Sequence, residues 1–296
     1  MDIDLLIRQL INSLNTGSIY ALVAIGYTMV YGIIRLINFA HGEIMMFGAY
    51  FAFVIATSLP IQLPFFMIVI ISMGLAALMG IFSEKIAYKK LRTAPRISAL
   101  ITAIGMSLFL QNFAQLLFGA TPKVMPRFIT AAPIMIGNTA VSMVTVYTIF
   151  MSIAIMILLT LFVKKTKAGK AMRAVSQDKE AALLMGININ RIISLTFAIG
   201  SALGALGGIF YSVAYSQVYP TLGVMPGLKA FIAAVFGGIG NIGGAVLGGY
   251  TIGFIETMTK GYISSKWADA IVFSVLILVL LFKPSGILGK NVKEKV

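Results

Sequence analysis

The sequence predicts an all-α, polytopic membrane protein with about eight to ten transmembrane or half-spanning helices. Three observations point there. First, 59% of the 296 residues are hydrophobic and only 11% are charged, whereas soluble domains carry roughly 25% charge. Second, uncharged runs cover residues 9–34, 44–83, 97–121, 128–163, 192–228 and 230–255, with a shorter one at 270–282. About 18 apolar residues suffice to cross a ~30 Å hydrocarbon core, and several of these runs are long enough for two crossings. Third, most of the basic residues fall in three short segments between or after these runs. They are Lys85, Lys89, Lys90, Arg92 and Arg96; Lys164, Lys165, Lys167, Lys170, Arg173, Lys179 and Arg191; and Lys283, Lys290, Lys293 and Lys295. This is the distribution of cytoplasmic loops. It accounts for the net charge of +14 without a nucleic-acid partner.

The orientation then orders the spans. Arg8 alone precedes the first apolar run, so 9–34 is expected to be a retained span entering from outside rather than a removable signal. Residues 44–59 leave the cytoplasmic side, with 35–43 near the inner face or buried. Pro60 and Pro64 mark an outer turn, and 65–82 returns to the first basic loop. Residues 97–118 run out, 119–139 form an external loop, 143–163 return and 192–216 run out again. Pro220 and Pro226 mark another external turn. The last span, 267–282, enters from outside, so 228–259 must begin and end outside. Its centre, Gly237 to Gly244, is too rich in glycine for continuous helix. The expectation is two short helical pieces meeting at a break, tolerated only where protein or a water-filled cavity covers the backbone.

Gly200, Gly204 and Gly208 recur every fourth residue and predict a close-packing helix face. There is a hint of duplication as well. Residues 48–54 and 228–235 are similar apolar stretches, each following a polar break. Paired interrupted segments in two halves point to a midplane pathway.

Few residues carry chemistry. In the second basic segment, Asp178 is a candidate N-cap and Glu180 suits the positive end of a helix dipole. Gly186 stands where a left-handed residue would end the helix. A helix of about two turns over 179–185 follows, with Ala181, Leu184 and Met185 available to a partner; two turns alone are unstable in water. Residues 169–175 are a candidate second arm. Asn38, His41 and Glu43, with Arg35, form a polar group beside an apolar run, and ionisable groups in a membrane are functional suspects. They read either as a pathway lining or gate, or as an interfacial cluster in which Arg35 pairs with Glu43 and His41 satisfies backbone. Gly237, Gly238 and Gly240 join them as candidate gate residues. Lys229 is expected to snorkel near an outer end, with Glu256, Lys260, Lys266 and Asp269 as rim charges. The sequence holds no cysteine, no metal-ligand spacing, no nucleophile constellation and no Gly-x-x-x-x-Gly-Lys-Ser/Thr loop. No catalytic site, metal site or cofactor is expected, and ATP hydrolysis would need another chain.

Glu180-Ala181-Ala182 followed by Gly186 resembles the E-A-A-x-x-x-G element by which permeases of bacterial ABC importers dock on their ATPases. Other segments converge on one branch of that superfamily: residues 20–32, Asn38-Phe39-Ala40-His41-Gly42-Glu43, Ile104-Gly105-Met106-Ser107, Lys229-Ala230-Phe231 with Gly237-Gly238-Ile239-Gly240, and Pro284-Ser285-Gly286. Together they resemble the H-type permease subunits of branched-chain amino acid ABC transporters, over essentially the whole chain. The resemblance implies a type II importer-like permease of the bacterial inner membrane, a single domain over 1–296 with a cytoplasmic coupling loop at 164–191 and a cytoplasmic tail at 283–296. The implied partners are an M-type permease, two ATPase subunits and a periplasmic or extracellular amino-acid-binding protein. The implied cargo is leucine, isoleucine and valine. ATPase coupling would fall on Arg173, Asp178, Glu180, Ala181, Ala182, Leu184 and Gly186. The wider motif usually continues to Ile-x-Leu-Pro; no proline follows Gly186 here, a lapse the H-type permeases share. Rival readings are a sugar or nucleoside permease of the same superfamily, a proton-coupled carrier relaying through His41 and Glu43, and a non-transporting scaffold.

Overall fold

A computed structural model describes residues 3–92 and 94–289; Lys290, Lys293 and Lys295 of the tail lie outside them. Helix α1 (Ile3–Ile34) is the central strut. It runs 32 residues, and every side from Gly17 to Val30 is buried. A helix apolar all round and short of charge has no preferred solvent face, so protein packs around it. The chain continues through α2 (His41–Ser58), α3 (Phe65–Ser83), a π turn over Glu84–Tyr88 and a 3₁₀ turn over Lys89–Leu91 to α4 (Arg96–Phe118). Next come β1 (Lys123–Val124), a hairpin of β2 (Ile134–Ile136) and β3 (Thr139–Val141), and α5 (Met143–Lys165). Two helices outside the bundle follow, α6 (Lys167–Gln177) and α7 (Lys179–Leu184). The second half comprises α8 (Ile189–Tyr215), β4 (Gln217–Val218), α9 (Val224–Gly237), α10 (Ile242–Tyr262) and α11 (Ser265–Phe282). Among the described residues, α1, α3, α4, α5, α8 and α11 are the six helices long and apolar enough to cross a membrane. Helices α2 and α10 add 18 and 21 residues and carry acids, while α9 has only 14 residues. The sum falls within the predicted range.

Long-range contacts show which connections share a face. Strand β1 pairs antiparallel with β4, Lys123 opposite Val218, so the connections after α4 and after α8 share a face. The start of α1 joins them, because Asn138 donates to the Asp4 carboxylate at 3.3 Å. The described residues of the first two basic segments gather on the opposite face, the one the charge rule expects to be cytoplasmic. There Arg92 pairs with buried Glu84, Ser194 donates to the same carboxylate at 2.8 Å, and Arg92 also donates to Asn190.

The helices α1–α4 and α8–α11 traverse in opposite senses. Gly26 of α1 meets Gly200 of α8, and Gly17 meets Gly249, while Gly32 meets Gly240. The α1–α2 and α8–α9 connections each begin on a non-glycine residue in the left-handed region, Arg35 at φ 56° and Ser216 at φ 55°. Such a residue halts a helix abruptly. Each connection then turns back into the bundle. Helix α2 starts beside Gly26, about 12 Å inside the end of α1 at 1.5 Å per residue, and runs outward. Helix α9 starts against α2 and runs inward. The two similar stretches noted in the sequence lie on these helices. Gly200, Gly204 and Gly208 form the expected close-packing face, set against Gly26, His41 and the Met45 carbonyl.

Two expectations change. The glycine segment does not join two short pieces at membrane depth. Helix α10 has 21 residues and runs along most of α1, so its start, and the turn at residues 238–241, must sit at the inner end. The chain after α11 covers that turn, with Ile287 donating to the Phe236 carbonyl at 2.8 Å and Leu288 to Gly237 at 3.0 Å. Pro226 does not mark the external turn either. It lies in the first turn of α9, where amides lack intrahelical partners and proline costs nothing.

Candidate functional site

The inner face carries a projecting arm. Helix α6 starts at Thr166, whose hydroxyl accepts from the Gly169 amide at 3.0 Å. It spans the region expected as a second arm. Its Met172 and Val175 are buried against the bundle, while Arg173 is exposed and donates to the Lys164 carbonyl. Asp178 caps α7, accepting from the amides of Glu180 at 2.9 Å and Ala181 at 3.0 Å. Gly186 ends it at φ +78°. Its amide donates to Leu183 and that of Ile187 to Ala182, the paired closure that a left-handed glycine permits. Ala182 points inward and is buried, whereas Ala181 and Glu180 are exposed. Leu183, Leu184 and Met185 are 60%, 88% and 82% exposed. Three neighbouring apolar side chains at the end of a helix of six residues form a surface that water disfavours and a partner would cover. Leu183 was not singled out in the sequence, because a two-turn helix has too few residues to show which face turns outward. Burial lowers the Lys179 ammonium from its ordinary pKa, and repulsion from Arg35 and Arg92 lowers it further. The arm is thus seated on a cationic floor.

The second group lies where α2 and α9 begin. Asn38 accepts from the Tyr88 hydroxyl at 2.7 Å, which fixes the α1–α2 connection to the π turn after α3. His41 is buried. Its ring lies edge-on to Tyr27 at 4.6 Å and is wedged between Gly26 and Gly204, where a methyl on Gly26 would come within 2.4 Å of Nε2. Glu43 is also buried, accepting from Ser107 at 3.0 Å and Gln111 at 2.8 Å on α4. Arg35 is exposed and does not pair with it. The expected Arg35–Glu43 contact fails because Arg35 ends α1 at the inner face while Glu43 starts one turn inside α2. Gly237, Gly238 and Gly240 form the inner turn, where Ile239 lines a small cavity together with Tyr27 and Asn38. Gly238 (φ +105°) and Gly240 (φ +93°) adopt conformations closed to most side chains.

In a third group, Lys229, expected to snorkel, and Glu256, expected at the rim, are instead interior. Lys229 on α9 and Glu256 on α10 are 5% and 2% exposed. Lys229 Nζ lies 2.8 Å from Glu256 and 2.6 Å from Asp269 on α11. Lys260 reaches Glu256 at 2.5 Å, and Tyr20 of α1 donates to its other oxygen at 2.7 Å. Lys260 and Lys266 stay exposed, and the Asp269 side chain is 48% exposed, so these three remain at the rim. One signal was available: Lys229 is the single charge interrupting residues 192–255. A cation there needs a counter-ion, because leaving it unpaired in the bundle is expensive.

Comparison with known proteins agrees with this architecture. A family model described as the permease component of the branched-chain amino acid transport system matches residues 9–281. The high-affinity branched-chain amino acid transport system permease protein LivH of Escherichia coli (strain K12) is 41% identical over 301 residues, covering 98% of this chain and 97% of that protein. BraD of Pseudomonas aeruginosa, described in the same words, is 42% identical over 300 residues, covering 98% of each. More distantly, the ribose import permease protein RbsC of Haemophilus influenzae is 26% identical over 92% of this chain and 84% of its own length. A family match over nearly the whole chain and identity above 40% leave one conclusion: the chain belongs to the branched-chain amino acid transport permease family.

Proposed function

We propose that this permease forms half of the translocation pathway of an ATP-driven importer for leucine, isoleucine and valine in the bacterial inner membrane. Its partners in this reading are an M-type permease, two ATPase subunits that hydrolyse the ATP, and an external amino-acid-binding protein. The whole chain, 1–296, is one transmembrane domain; segment 164–191 is its cytoplasmic coupling loop and 283–296 its cytoplasmic tail. The observation that carries the reading is the capped two-turn helix α7, which presents Leu184 and Met185 to the cytoplasmic side of a chain related end to end to branched-chain amino acid permeases.

Movement of the ATPases enters through this arm. Leu184 and Ala181 make the contact, Asp178, Glu180 and Gly186 hold the helix closed at both ends, and Ala182 and Arg173 seat it on the bundle. The junction of Asn38, His41 and Glu43 acts as the inner-leaflet gate by fixing where α2 and α9 meet. Gly237, Gly238 and Gly240 serve as the hinge by which α9 moves against α10. Coexpression with the neighbouring subunits, copurification and ATP-dependent uptake in proteoliposomes test the reading. Leucine uptake that requires both ATP and the binding protein is expected. Uptake that persists without ATP and collapses with the proton gradient would instead select a secondary carrier. The distant ribose import permease keeps one alternative cargo, and ribose uptake by the same assembly would establish it.

A further inference from the structure

Helix α5 joins the outer end of the subunit to the arm, and its two ends are held differently. The inner end is a rigid elbow. Thr166, between α5 and α6, donates to the Phe162 carbonyl at 2.7 Å and accepts from the Gly169 amide at 3.0 Å. Gly169 lies so close to the Phe162 and Val163 carbonyls that there is no room for a methyl group. Helices α5 and α6 therefore turn as one piece.

The outer half has no such closure. A cavity of about 750 Å³ lies at the outer end between α1, α5, α8 and α10, and Thr145 of α5 with Asn12 and Thr16 of α1 are among its lining residues. Below Thr145 the buried positions of α5 are Thr148, Ser152, Met156 and Leu159, a spacing that keeps them on one face. Thr148 and Ser152 are 0% exposed, and neither hydroxyl has a hydrogen-bond partner among the described residues. A helical serine or threonine can donate to the carbonyl four residues back, as Thr160 of the same helix does to Met156 at 2.8 Å. Thr148 and Ser152 do not. A buried hydroxyl without a partner costs about 1–3 kcal/mol, so the closed boundary leaves both groups in deficit. On its α10 side, by contrast, α1 is packed backbone to backbone, and a methyl on Gly253 would run into the Gly17 backbone.

We propose that α5 is a lever whose outer half parts from α1 and admits water from the outer cavity down to Ser152, driven through the elbow by movement of α6. Entering water supplies the hydrogen bonds that Thr148 and Ser152 lack. Ser152 lies nine residues into α5, roughly 14 Å along the helix axis, so the crevice reaches about the middle of a ~30 Å hydrocarbon core. Below it Met156 and Leu159 present only apolar surface and keep the boundary shut. The crevice belongs to one subunit and involves neither α2 nor α9. Its opening is a property of this chain; that ATPases drive it through the arm rests on the coupling function proposed above.

The chain has no cysteine, so single cysteines report on the boundary. In the detergent-solubilised full-length protein, Thr148→Cys and Ser152→Cys should react with a small charged methanethiosulfonate at least about tenfold faster than Phe150→Cys, because the reactivity of a covered site follows how often it opens. Phe150 lies at the same depth on the opposite face of α5, 69% exposed, where detergent rather than water covers it. Thr145→Cys, at the cavity, should react promptly and report an intact fold. Met156→Cys should stay inert. Thr148→Val combined with Ser152→Cys should react severalfold more slowly than Ser152→Cys alone, since an apolar wall discourages water. A Ser152→Cys rate no faster than that of Phe150→Cys, with Thr145→Cys reacting normally, overturns the proposal. A higher melting temperature for Thr148→Val also counts against it, because valine relieves a hydroxyl that is permanently dry and unpaired. Reaction at Met156→Cys as fast as at Ser152→Cys overturns it as well, since the whole of α5 has then come loose. In the assembled transporter ATP should change the Ser152→Cys rate severalfold, and the same rate with and without ATP overturns the lever. ATP-dependent leucine uptake alongside an inert Ser152→Cys sinks the crevice and leaves the permease reading standing, whereas uptake without ATP sinks that reading instead.

Discussion

The backbones of Gly42 and Gly223 touch: a methyl group added to Gly223 would sit 1.9 Å from the Gly42 carbonyl oxygen, and one added to Gly42 would sit 2.6 Å from the Gly223 carbonyl oxygen. This contact joins the start of α2, which runs outward, to the turn that starts α9, which runs inward. It is one of the points at which the two oppositely directed halves of the chain meet.

Side chains at that contact should not be tolerated. Gly42→Ala and Gly223→Ala force backbone against backbone, and overpacking of this kind costs about 1–3 kcal/mol. Thermal unfolding of the detergent-solubilised protein should shift down for both. Gly74→Ala is the comparison, because nothing lies within 4 Å of its added methyl and alanine favours a helix interior by about 0.5–1 kcal/mol. Equal melting temperatures for all three variants would remove the junction from the account.

Lys229 and Glu256 should behave as a coupled pair. Removing one partner of a buried ion pair typically costs about 3–5 kcal/mol, whereas replacing both can approach neutrality. Lys229→Met alone strands Glu256 with only part of its counter-charge. The double variant Lys229→Met with Glu256→Gln should recover stability relative to that single change. A double-mutant cycle measures the coupling directly, and strict additivity would show that the two groups act independently.

Glu180→Lys and Gly186→Asp should uncouple transport without preventing membrane insertion. The first reverses charge at the positive end of α7. The second places a side chain at φ +78°, where a non-glycine residue is strained by roughly 1–2 kcal/mol. ATP-dependent uptake should fall at least about tenfold, the equivalent of ~1.4 kcal/mol in coupling, at normal protein levels on immunoblots. Wild-type uptake by either variant would detach α7 from the ATPases.

Glu43 distinguishes a positioning role from a lining one. Glu43→Gln keeps an acceptor for Ser107 and Gln111, and uptake should stay within about twofold of wild type, under ~0.5 kcal/mol. Glu43→Leu leaves those two groups unpaired, at about 1–3 kcal/mol for each buried polar group abandoned, and folded yield should drop. A loss of transport in Glu43→Gln with unchanged yield would instead place the carboxylate's charge in the pathway.

Much of this protein was legible in its residues taken in order. The span positions, the two faces and the ends of α7 follow from hydropathy, from lysine and arginine placement, and from Asp178 and Gly186. Each of these signals acts within a few residues of where it is written. A basic loop resists crossing the membrane wherever it occurs, and a capping carboxylate reaches only the next amides. Depth and pairing carry no such local mark. That α9 begins partway through the membrane, that the glycine turn lies at the inner end, that Glu43 faces α4 rather than Arg35, and that Tyr20 reaches Glu256 across 236 positions were settled only when the helices packed. Hydropathy shows that a segment prefers the bilayer. What it lies against there depends on which neighbours can satisfy its glycines and its few charges, and those neighbours come from distant parts of the chain.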